Sequence, residues 1–124
     1  MLKTIASAIS GTIRRGTDLG ARYGGDEFAV LLPDTSLDGA ALVADQIRAE
    51  LTVRCLEENI DDAKISIGVA CLVAERATAY PALLAAADGA LYRAKSDGRN
   101  RTELAEVEFL RSEQAAAWPM RHAA

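Results

Sequence analysis

Two glycines followed at once by two carboxylates, Gly24-Gly25-Asp26-Glu27, are the residues of this 124-residue sequence best suited to chemistry. Glycines carry no Cβ, so a bulky anion can come close to the backbone beside them. Carboxylates are hard oxygen ligands that suit Mg²⁺, which is held by one or two of them together with substrate phosphates. The same four residues also fit a solvated acidic turn, and a motif this short does not separate the two readings. A second set is Lys95 and Arg99, four residues apart, which places two cations on one side of a helix and the turn that ends it. They suit phosphate contacts. They equally suit the negative end of a helix dipole, an effect of about 0.3–1 kcal/mol. A third set is the R-x-x-D run Arg15-Gly16-Thr17-Asp18, a pattern that by itself is common surface charge.

The elements that must position these residues are legible from periodicity. Ile5, Ala8, Ile9 and Ile13 recur at helical spacing, which predicts a helix over 3–13 ending near Gly11 to Gly16. Residues 18–23 and 26–32 read as two extended runs around the glycine pair, hence a β-hairpin, with Pro33 and Asp34 stopping the second strand. Thr35 is the expected N-cap of the next helix, with Asp38 completing a capping-box variant. The stripe Leu37, Ala40, Ala41, Ala44, Ile47 and Leu51 makes 36–53 amphipathic. Lys64 to Val73 reads as a strand covered on both faces, given Ile65, Ile67 and Val69. Thr78 is the expected cap of a last long helix, with Pro81 in its first turn. That helix buries Leu84, Ala87, Leu91 and Ala94 and stops at Gly98, a C′ glycine. Residues 102–105 suit a short edge strand, and 106–124 a helical or frayed tail.

Bulk properties bound the answer. The length suits one domain, and half the residues are apolar with 26% charged, an ordinary globular balance rather than a disordered one. The net charge of −4 argues against a general nucleic-acid or anionic-membrane binder. No apolar stretch spans a bilayer or forms a signal peptide, which makes the cytoplasm the expected location. Cys55 and Cys71 have no metal-like or redox-like spacing and read as two buried or half-buried thiols rather than a disulfide. His122 and the Trp118-Pro119 pair lie in the polar tail with no evident partner, and Tyr92 reads as helix packing.

Three runs together resemble one family. Arg22-Tyr23-Gly24-Gly25-Asp26-Glu27-Phe28 resembles the signature hairpin of the GGDEF domain of bacterial diguanylate cyclases. Ile65-Ser66-Ile67-Gly68-Val69-Ala70 resembles its following core strand. Ala87 to Asn100 resembles its final A-D-x-A-L-Y-x-A-K-x-x-G-R-N helix. The likeness runs from about residue 2 to about residue 105. It implies an α+β fold with a ferredoxin-like, cyclase-palm sheet packed by helices, and a division into a GGDEF portion, 1–105, and a tail, 106–124.

The resemblance further implies an enzyme that condenses two GTP molecules into cyclic di-GMP with release of pyrophosphate, from two domains facing each other in a homodimer. Gly24, Gly25, Asp26 and Glu27 would be catalytic, with Asp26 and Glu27 holding Mg²⁺ or Mn²⁺. Lys95 and Arg99 would meet the terminal phosphates of GTP. Arg15 and Asp18, with five residues between Asp18 and Gly24, would form the inhibitory site for cyclic di-GMP. A guanidinium fork suits both a phosphate and a guanine edge there. Gln46 stands where relatives often supply a second arginine to that site.

The family's first strand, with its metal-binding aspartate, and the F-K-x-x-N-D and G-H-x-x-G-D runs have no counterpart among these residues. The expectation is therefore of a family member truncated at its N-terminus, short of one carboxylate and of the guanine-reading groups. Such a chain would be marginal alone, weak or inactive as a cyclase, and ready to dimerise or exchange strands through uncovered strand edges. It could still serve as a cyclic di-GMP-binding or dimerisation module.

Overall fold

The computed structural model describes residues 2–13, 16, 18–25, 27–61, 63–71 and 79–105. The elements follow in the order α1 (Leu2–Thr12), β1 (Leu19–Gly24), β2 (Glu27–Leu31), α2 (Leu37–Glu57), β3 (Ile67–Val69), α3 (Ala79–Ser96) and β4 (Thr102–Leu104). Helices and strands mix as the α+β expectation requires. None of these helices is long and apolar enough to cross a membrane.

Among the described residues the strands form two small sheets. β1 and β2 pair antiparallel, with Leu19 opposite Leu31 and Gly24 opposite Glu27, and β3 pairs parallel with β4. The open edges of β2 and β3 meet no strand among the described residues. The hairpin is only partly covered. Phe28, Ala29 and Val30 are half-buried, while the facing pair Leu19 and Leu31 stays exposed.

Helix α2 is the scaffold. Its N-cap is Ser36, whose hydroxyl accepts from Gly39 N at 3.0 Å. The cap therefore lies one residue beyond the expected Thr35, whose own hydroxyl donates back to Pro33 O at 3.0 Å. Either residue type can cap, and the Pro33-Asp34 turn, with Asp34 at φ 52°, spends Thr35 on closing itself. The helix also runs four residues past the expected 53. It ends in a Schellman turn, with Asn59 left-handed at φ 54° and Ile60 N donating to Cys55 O at 3.0 Å. Ala40, Ala44, Ile47, Leu51 and Cys55 form its buried stripe.

That stripe serves two clusters. Leu51 and Cys55 pack with Ala8 of α1, joined by Ile5, Ala63 and Ile65. Ala40 and Ala44 pack with Val69, joined by Leu32, Leu37 and Ile67. The one buried polar side chain among the described residues, Thr4, is satisfied by donating to Glu58 Oε2 at 2.8 Å, which ties α1 to the end of α2. Cys55 is buried and Cys71 half-buried, both free thiols.

β3 is shorter than the expected 64–73, yet it is covered on both faces. Ile67 and Val69 face α2 through the second cluster, and Gly68 faces α3. A Cβ on Gly68 would collide with the backbone of Ala87 and Leu91. Helix and strand therefore touch main chain to main chain, which only glycine permits. Helix α3 buries Ala82, Ala85, Ala90 and Ala94. Leu84, Ala87 and Leu91, expected to be buried, are only half-buried. Tyr92, expected to pack, is 64% exposed. Thr78 lies outside the described residues.

Replacing Gly68 by alanine therefore forces α3 off β3. We expect Gly68→Ala to destabilise the chain by about 1–3 kcal/mol, the usual cost of overpacking, read as a lower urea midpoint. An unchanged midpoint would contradict this close approach.

Candidate functional site

Gly24 closes the ladder opposite Glu27, and the register shifts between Arg22 and Gly24, so the strand carries a bulge just before the tip. Gly25 sits at φ 52°, a left-handed conformation that glycine adopts without strain. The turn is closed by Arg22, whose Nε donates to Gly25 O at 2.8 Å, with Nη2 donating to the same oxygen. Arg22 thus clamps the hairpin.

The space around the two glycines is informative. Among the described residues, chain neighbours aside, no atom lies within 4 Å of the position a Cβ would take on either Gly24 or Gly25. At Gly68 the neighbouring backbone explains the missing side chain. At Gly24, where φ is ordinary and nothing crowds, the fold itself gives no such reason. Both glycines are exposed. Glu27, half-buried, begins β2 directly after it, and Asp26 lies outside the described residues. Among the described residues no group of three His, Cys, Asp or Glu side chains could enclose a metal. A Gly-Gly-Asp-Glu tip nevertheless fits an ion held by few carboxylates with phosphates completing its shell.

Of the two cations Lys95 and Arg99, the first sits in helix α3 and the second is placed by the turn that follows it. α3 ends at Ser96, with Lys95, half-buried, and Arg93 in its last turn. Arg99 N donates to Ala94 O at 2.8 Å across Gly98, at φ 118°, which is the Schellman closure expected of a C′ glycine. Arg99 lies beyond that reversal at φ 63°, so Lys95 and Arg99 are not stacked as neighbours on a continuing helix. The Arg99 side chain is exposed and has no hydrogen-bond or ion-pair partner among the described residues.

Of the R-x-x-D pair, Asp18 is half-buried immediately before β1, and Arg15 lies outside the described residues. Gln46 is exposed on α2. The structure also holds a cleft of about 320 Å³ lined by Asp45, Arg48, Thr52, Lys64, Ile65 and Asn100 among others. No hairpin residue lines it, so it is distinct from the tip.

Comparison with known proteins identifies a family. Residues 1–101 match the family described as "Diguanylate cyclase, GGDEF domain". The chain is 40% identical over 108 residues to the uncharacterized protein YhcK of Bacillus subtilis, covering 86% of this chain and 30% of that protein. It is 39% identical over 105 residues to the response regulator PleD of Caulobacter vibrioides, covering 81% and 22%. It is 36% identical over 105 residues to the diguanylate cyclase DgcP of Pseudomonas aeruginosa, covering 85% and 16%. The chain thus spans less than a third of the length of each of these relatives. With 101 of its 124 residues inside that match, the chain belongs to the GGDEF family of diguanylate cyclases.

Proposed function

We propose that this chain supplies the catalytic hairpin of a cytoplasmic diguanylate cyclase, which joins two GTP molecules into cyclic di-GMP and releases pyrophosphate. The observation that carries this reading is the unfilled space at Gly24 and Gly25, directly beside two carboxylates. A triphosphate can lie against that backbone as it could against no side chain.

In this reading Asp26 and Glu27 hold Mg²⁺ or Mn²⁺. The bound ion lowers the pKa of the attacking 3′-hydroxyl and offsets charge on the phosphates. Asp26 is the route by which the hydroxyl proton leaves, and Glu27 is the second carboxylate on the phosphate side. Lys95 and Arg99 contact the terminal phosphates, where an exposed guanidinium suits bidentate oxygen acceptors. Each domain holds one GTP, so the reaction needs two copies face to face, which makes a homodimer the working form. Arg15 and Asp18 bind cyclic di-GMP as an inhibitory site, with the arginine on phosphate or guanine and the aspartate on guanine. Residues 1–105 carry all of these roles.

A second reading has its own support. The 124 residues contain no F-K-x-x-N-D run, so the groups that would read guanine are not supplied from within them. On that reading the chain by itself binds cyclic di-GMP or dimerises without turning over.

Two outcomes are expected. In a form that includes the family's D-x-D-x-F-K-x-x-N-D segment, GTP and Mg²⁺ yield cyclic di-GMP, and Asp26→Ala lowers the rate at least about 100-fold, as loss of a metal-holding general base would. An undiminished rate in that variant contradicts the assignment. In calorimetry the chain binds cyclic di-GMP, and Arg15→Ala weakens binding about tenfold or more, the loss of a charge-assisted contact. Equal affinity would remove the inhibitory site.

A further inference from the structure

Gly98, Arg99 and Asn100 are three consecutive residues at positive φ, 118°, 63° and 48°. Asparagine tolerates that region, but an arginine rarely enters it, and such a pair persists only where the surroundings over-determine it. Much of the restraint comes from the segment itself. Arg99 N bonds to Ala94 O, Arg101 Nε donates to Arg99 O at 3.2 Å, and Ile67 N donates to Arg101 O at 2.9 Å. One side chain reaches in from elsewhere. Nη2 of Arg48, on α2 and 52 residues away in sequence, donates to Asn100 O at 2.8 Å and to Asn100 Oδ1 at 3.0 Å.

The grip continues past Arg48. Asp45, one turn earlier on α2, lies 3.9 Å from Arg48 Nη1 and accepts from Thr102 Oγ1 at 3.3 Å. The pair therefore holds the residues on either side of Arg101, and α2 is bolted to the turn that presents Arg99.

We infer that Arg48 is a positioning residue for phosphate binding: it locks Asn100 in its left-handed conformation and so aims Arg99 at the triphosphate. It does not touch the nucleotide. A planar fork meeting a carbonyl and an amide oxygen of one residue is a task for arginine, which lysine does not reproduce. The inference rests on the phosphate role proposed for Arg99.

A double-mutant cycle tests it, with MgGTP affinity as the readout. Arg99→Ala and Arg48→Ala should each weaken binding roughly tenfold, as loss of one charge-assisted contact does. The double variant should lose roughly the same tenfold rather than a hundredfold, because both changes remove one contact. Trypsin should also cut Arg48→Ala faster than the parent after Arg99 and Arg101, since the turn is released. If Arg48→Ala does not fold, Arg48→Lys carries the same cycle. Additive losses, or a turn as protected as in the parent, overturn the positioning role alone. Parental MgGTP affinity in Arg99→Ala defeats the phosphate reading itself, and this inference with it.

Discussion

No side chain fits between Gly68 and the backbone of Ala87 and Leu91, and most of the arrangement around the terminal helix follows from that contact. It fixes the height of α3 above β3. Alanines at 82, 85, 90 and 94 are the buried residues of that helix. With α3 held on one face of β3 and α2 on the other through Ala40 and Ala44, the chain leaving α3 has little choice but to reverse at Gly98 and run beside β3 as β4. Lys95 ends the helix before that reversal, and Arg99 is placed by the turn itself.

The hairpin obeys a different constraint. Its shape is maintained locally, by the left-handed Gly25 and by the guanidinium of Arg22 on Gly25 O, while its outer surface remains half-covered. Leu19 and Leu31 face each other across the ladder and both are exposed, and the far edge of β2 meets no strand among the described residues. An open sheet edge with apolar residues beside it is an adhesive surface. Gly24 at the tip is the reverse case, with ordinary φ and no described atom crowding it.

Local chemistry made much of this readable in advance. The glycine pair announced the hairpin, the i, i+3, i+4 apolar stripe announced α2, and Gly98 announced the end of α3, because each is governed by neighbours in sequence. What could not be read was decided by turn geometry or by distant partners. Thr35 and Ser36 are equivalent as cap candidates by residue type, and in the structure Thr35 donates to Pro33 O while Ser36 accepts from Gly39 N. The apolar run at 64–73 is long enough for a strand throughout, yet only 67–69 find β4 to pair with among the described residues. Arg48 looks like one more charge on a solvated helix until the fold brings Asn100 to it. Arg99 seemed one helical turn from Lys95, and the positive φ at 98–100 breaks that spacing. The four-residue acidic motif was weak by itself. Its weight came from the strand and helix that follow in order.

In the proposed function the bend at Gly24–Glu27 and the turn bearing Arg99 meet one metal-bound triphosphate. Paramagnetic Mn²⁺ tests it directly, because it broadens amide signals only of residues near the bound ion. With GTP present, the account predicts selective loss of the Gly24, Gly25 and Glu27 amide signals, with weaker loss at Lys95 and Arg99, and far less broadening without nucleotide. Broadening centred instead on the acidic surface of α2, around Asp45 and Glu50, or hairpin signals indifferent to Mn²⁺ and GTP together, would contradict it.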